Sequence, residues 1–77
     1  MKEVLEYVAR ALVDDPDAVE VTEVAGERSV ILQLKVAPDD MGKVIGKRGR
    51  TVKAIRSLVR AAGSRQGVTT LVEIVEG

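Results

Sequence analysis

The chain of 77 residues contains no histidine and no cysteine. General base catalysis by imidazole, thiolate nucleophiles and the usual zinc ligands are therefore all absent. Carboxylates, amines, guanidiniums and hydroxyls remain. The adjacent pair Asp39 and Asp40 could be read as metal ligands, but the pair follows Pro38 and precedes a helical pattern. A capping role is the better expectation, with Asp39 as N-cap and Asp40 placing negative charge at the positive end of the helix dipole. The residues whose types and spacing can do work lie in GKVIGKRGR, residues 42–50. Glycine costs about 1 kcal/mol inside a helix. Gly42, Gly46 and Gly49 in one short stretch need a reason. Gly46 and Gly49 flank two cations, Lys47 and Arg48. A bare backbone lets a ligand approach the main chain. A helix opening just after it offers unpaired N–H groups and partial positive charge. Each of these features favours a phosphate.

Two enzymatic phosphate loops fail on spacing. The Walker pattern needs four residues between its glycines, then Lys followed by Ser or Thr. Gly42 and Gly46 enclose three, and Lys47 is followed by Arg48. The dinucleotide pattern Gly-x-Gly-x-x-Gly does not match glycines at 42, 46 and 49. No carboxylates gather near the basic segment. The expectation is a binding module without catalytic residues, metal or cofactor.

The formal net charge of zero conceals a strong asymmetry. Residues 1–40 hold four basic and ten acidic residues, net −6. Residues 41–67 hold Lys43, Lys47, Arg48, Arg50, Lys53, Arg56, Arg60 and Arg65 with no acidic residue, net +8. The last ten residues contribute Glu73 and Glu76. A solvated helix face ordinarily mixes both signs; a run of one sign points to a polyanion. Tyr7 is the lone aromatic residue. Modules that bind bases chiefly by aromatic stacking are therefore excluded.

These residues need elements to position them. Val4, Leu5, Val8 and Leu12 recur at helical spacing over Lys2 to Val13, with Ala9 and Ala11 as helix formers. Pro16 ends that helix. Val19, Val21 and Val24 oppose Glu20, Thr22 and Glu23 in a first strand. A turn at Gly26–Glu27 leads to a second strand, in which Val30, Leu32, Leu34 and Val36 share one face. The short connection makes the pair an antiparallel hairpin. A short helix follows Pro38 and reaches Ile45, where Gly46 breaks it; Gly42 serves that helix. A longer helix runs from Arg50 or Thr51 to about Ala62, with Gly63 as its C-cap. Its Lys53, Arg56 and Arg60 form a stripe roughly opposite Val52, Ile55, Leu58, Val59 and Ala62. Arg56 and Arg60 are expected to be solvated and to act through their field. Residues 68–76 form a final strand, parallel to the second through the helical crossover. The order α-β-β-α-α-β predicts one α+β domain over residues 1–77: a three-stranded mixed sheet covered on one face by helices.

VIGKRGRTVKAI, residues 44–55, resembles the signature of KH domains: a hydrophobic pair, Gly-x-x-Gly, then a helix. The element order resembles the type II, prokaryotic arrangement. The likeness covers essentially the whole chain and is strongest to the small stand-alone bacterial KH proteins of the KhpA family. The resemblance implies that Gly46, Lys47, Arg48 and Gly49 clamp about four nucleotides of single-stranded RNA. It implies support from Lys43, Arg50 and Lys53, and from Val44 and Ile45 as an apolar floor, one of them also belonging to the core. It places Arg65 at the far wall, in the variable loop GSRQG. It further implies an RNA chaperone or post-transcriptional regulator, a homodimer and a larger KH-containing partner.

No apolar run approaches the ~20 residues of a membrane span. The opening MKEVLEYVAR carries Glu3 and Glu6 and does not read as a signal peptide. A cytoplasmic location is expected. Two alternatives stay open: a single-stranded DNA binder, and an interaction or dimerisation module whose basic face docks an acidic partner.

Overall fold

A computed structural model describes residues 2–76. Helix α1 spans Lys2–Leu12, strands β1 and β2 span Glu20–Ala25 and Ser29–Val36, helix α2 spans Met41–Ile45, helix α3 spans Arg50–Arg65, and strand β3 spans Thr69–Glu76. Single 3-10 turns at Pro16–Ala18 and Pro38–Asp40 introduce β1 and α2. Proline opens each, where its fixed φ suits the first helical position and its missing N–H costs nothing.

The sheet has the order β1-β2-β3, with β1 antiparallel and β3 parallel to β2. This is the α+β, type II KH-like order expected from the sequence. The period of two in β2 decides which face is covered. Val30, Leu32, Leu34 and Val36 are all buried beneath the helices, while Lys35 is exposed on the other face. Burying each large aliphatic side chain contributes about 1.5–3 kcal/mol. The helices answer with Leu5 and Ala9 from α1, Val44 from α2, and Ile55 and Val59 from α3.

Four expectations need correction. In α1, Ala9 is fully buried while Leu12 is partly exposed, so the core-facing stripe is centred on Leu5 and Ala9. A methyl at position 9 lets the helix lie close to the sheet. Val24 is 53% exposed, because its parity along β1 differs from that of Val19 and Val21. Helix α3 does not end near Ala62. Gly63 is a buried helical residue, and the helix closes two residues later. Gly67 takes the left-handed conformation with φ 75°. Gly67 N–H donates to the Ser64 carbonyl at 3.1 Å and Val68 N–H to that of Gly63 at 3.0 Å. This is the paired closure of a Schellman motif, with Gly67 as the residue beyond the cap. Finally, Asp39 does not cap α2. Asp40 stands at the N-cap and makes no side-chain cap bond, because its carboxylate accepts the backbone N–H groups of Asp14 and Asp15 instead.

Candidate nucleic-acid interface

The turn between α2 and α3 is built on its glycines. Gly46 has φ 75° and ψ 172°, a region essentially closed to L side chains. A Cβ there would fall 2.1 Å from Thr51 Oγ1 and 2.9 Å from the Thr51 backbone nitrogen. Gly46 N–H closes α2 on the Gly42 carbonyl at 2.9 Å, and Gly49 N–H returns to the Gly46 carbonyl at 3.2 Å. Arg48 (φ 59°, ψ 25°) and Gly49 (φ 73°, ψ 16°) are both left-handed. Non-glycine residues adopt that conformation rarely, at a cost of about 1–2 kcal/mol. Lys47 and Arg48 are exposed at the tip. Gly49 is the N-cap of α3 and supplies no side chain to the first-turn N–H groups. The turn therefore presents two cations and the open positive end of a 16-residue helix in one place.

Gly42 has a different role. It is exposed, and a Cβ at that position would meet nothing within 4 Å. Close packing is not what its glycine provides.

A buried carboxylate holds the start of α2. Asp40 is 2% exposed. Its two oxygens accept the backbone N–H groups of Asp14 and Asp15 at 3.2 and 3.1 Å, and Lys43 Nζ donates to it at 3.4 Å. Lys43 also pairs with Asp14. Asp40 therefore ties the end of α1 to the start of α2 instead of capping its own helix. Burial alone would raise its carboxyl. The two backbone donors and Lys43 outweigh that and hold it below the ordinary aspartate value. Lys43 is held above the ordinary lysine value, chiefly by its hydrogen bond to Asp14. Sequence placed Lys43 beside the other cations; the structure gives its charge to two carboxylates.

The remaining candidates divide. Arg50 and Lys53 are exposed on the first turns of α3, next to the glycine turn. Val44 is fully buried in the core, whereas Ile45 is 37% exposed beside Gly46. Arg65 lies with Val4, Leu58, Ala61, Ala62 and Gln66 in the groove between α1 and α3. It does not face the strand, because its position on α3 is turned away from the Lys53–Arg60 stripe. The residue on the strand side is Arg60. It lines an open cavity of about 500 Å³ with Ser64 and residues 67–71. Arg56 is half-buried, and its Nε–H donates to the Val72 carbonyl at 3.4 Å. Arg56 and Arg60, expected only to be solvated, therefore lie along the α3–β3 groove. Their common helix face was legible; which neighbour that face meets was not. A second depression, on the outer face of α1, is lined by Glu3, Glu6, Tyr7, Arg10 and Ala11 and suits a polyanion poorly. Among the described residues no acidic cluster can hold a metal ion, and no helix is long and apolar enough to cross a membrane.

Comparison with known proteins agrees with this architecture. The family model for the KhpA/KhpB KH domain matches residues 2–74. A protein of Clostridium acetobutylicum named RNA-binding protein KhpA is 57% identical over 75 residues, covering 97% of this chain and 100% of that protein. Proteins of the same name from Halalkalibacterium halodurans and Aquifex aeolicus are 50% and 43% identical, each over 99% of this chain and over 100% and 96% of their own lengths. No solved structure matches the chain. Both the sequence identity over the full span and the helix–Gly-x-x-Gly–helix geometry lead to one conclusion: the chain belongs to the KhpA/KhpB KH-domain family.

Proposed function

We propose that this chain binds single-stranded RNA, with the Gly46–Gly49 turn clamping the backbone of about four nucleotides. The observation that carries the reading is the turn itself. Gly46 in a glycine-only conformation and Gly49 in a left-handed one hold two exposed cations beside the uncapped start of α3. Nothing in the packing of the core asks for Lys47 or Arg48 at that tip. The names of the relatives, RNA-binding proteins, support the same reading. Lys47, Arg48, Arg50 and Lys53 meet the phosphates, and the half-exposed Ile45 forms the apolar floor. Val44 holds that floor to the core. Lys43 acts at one remove, by bracing α2 through Asp14 and Asp40. Bases then lie in the groove between α3 and β3.

One clamp on four nucleotides is a small interface, so useful affinity calls for a second site on the same strand. A second copy, or a larger KH-containing partner, supplies it by effective concentration. Such a protein suits transient work on many RNAs in the cytoplasm, as a chaperone or post-transcriptional regulator.

The test is the double variant K47D/R48D. The two substitutions lie at an exposed tip, so circular dichroism and thermal melting should stay as in the parent. Binding to a single-stranded RNA should fall at least tenfold at low salt. The parent's log affinity should decline with log salt, at about −0.7 per phosphate neutralised. Undiminished binding by the folded variant would refute the clamp.

A further inference from the structure

Arg56 leaves α3 toward β3 rather than toward open solvent. It is half-buried, and its Nε–H is committed to the Val72 carbonyl. That bond holds the guanidinium on the β3 side of α3. The four N–H bonds of its two terminal nitrogens have no hydrogen-bond partner among the described residues. Among the described residues no carboxylate pairs with Arg56 or with Arg60. β3 is an edge strand, so one side of its backbone has no strand partner. The cavity lined by Arg60 and residues 67–71 continues the same groove. A guanidinium drawn partly out of water without a counter-ion is held at a cost unless acceptors reach it. Arg56 lies about 9 Å along the helix axis from Arg50, at a rise of about 1.5 Å per residue. The nucleotides next to a clamped phosphate reach that distance.

We propose that Arg56 is a specificity-determining residue, selecting a base with two adjacent hydrogen-bond acceptors. This rests on the clamp reading of the Gly46–Gly49 turn. Guanine offers O6 and N7, and cytosine in a single strand offers N3 and O2. Adenine sets an N6 donor beside N7, against the donors of the arginine. Uracil places its N3–H donor between its two carbonyls. The planar fork, with one edge already anchored on Val72, matches paired acceptors and repels a donor. Lys47 and Arg48 meet phosphates that every sequence shares, so they set affinity without ranking the bases.

The test uses four RNA octamers: all uridine, and uridine with one central guanosine, cytidine or adenosine. Binding is measured for the parent chain, R56K, R56Q and K47D/R48D. The parent should bind the guanosine or the cytidine octamer about tenfold more tightly than the adenosine one, which is within the discrimination one bidentate contact supplies. In R56K, whose amine still reaches Val72 but has no fork, that ratio should fall close to one. R56Q should shift preference toward adenosine, which a glutamine amide pairs. K47D/R48D should weaken all four octamers together. If Arg56 merely braced β3, its variants would weaken all octamers equally and leave the ratio intact, which overturns the proposal. A parent that binds all four without ranking them overturns it too, and leaves the clamp standing. A parent that binds none overturns the clamp and this inference together.

Discussion

Gly42, Gly46 and Gly49 look alike in the sequence but differ in what the backbone asks of each. Gly46 combines a glycine-only conformation with a missing side chain that would strike Thr51. Gly46→Ala should destabilise the fold by roughly 3 kcal/mol. Gly49 needs its left-handed φ, but a Cβ there would meet only Val52 Cγ1, at 3.9 Å. Gly42 needs neither condition. Gly42→Ala should stabilise the protein by about 0.5 kcal/mol, through lower unfolded-state entropy and better helix propensity. Denaturant unfolding of the two alanine variants checks this directly: opposite signs are expected, and a loss at position 42 comparable with that at 46 would contradict the reading. The motif was legible because Val44 and Ile45 before Gly-x-x-Gly and a helix after it complete a pattern far more specific than two glycines alone. The distinct role of Gly42 was not, since spacing alone does not say what a Cβ would touch.

At the level of elements, α2 has only five residues and cannot hold itself together by helix propensity. It is held by Val44 in the core, by Gly46 at its end, and by the Asp40 bridge to α1. The folded carboxyl of Asp40 titrates below its unfolded value. The stability it contributes is therefore complete above the ordinary aspartate range, about pH 4, and is lost as pH falls through the depressed folded value. Asp40→Asn should be less stable than the parent at neutral pH, and the difference should shrink in denaturant melts taken well below pH 4. A gap that persists in acid would mean the charge is not what matters. The far end of α3 gives a second case. Gly67→Ala keeps open space around its Cβ but forces a left-handed alanine. It should cost about 1 kcal/mol, or roughly 4–8 °C in Tm. Sequence found each α-helix and strand here, because glycine or proline marks every boundary and the period switches between 3.6 and two across Pro16 and Pro38. It misplaced the end of α3, because Gly63 and Gly67 both look like caps and only the tertiary fit decides which one the helix passes through. It also assigned Asp40 to its own helix, because a partner 25 residues away leaves no local trace.

For the whole molecule, the total charge of zero is less informative than its arrangement. The acidic excess lies in residues 1–40, and the basic run occupies residues 41–67. Folding keeps part of that separation, because α3 carries Arg56 and Arg60 along the groove with β3 while Glu3 and Glu6 lie on the outer face of α1. It spends one cation, Lys43, on structure. A polyanion should therefore approach from one side only. The most direct test is amide chemical-shift mapping of the 15N-labelled chain during titration with a single-stranded RNA octamer. The account predicts the largest and earliest movements at Gly46, Lys47, Arg48, Gly49 and Arg50, continuing along α3 and the start of β3. Movements centred on α1 or on the exposed face of the sheet, with the glycine turn unmoved, would contradict it.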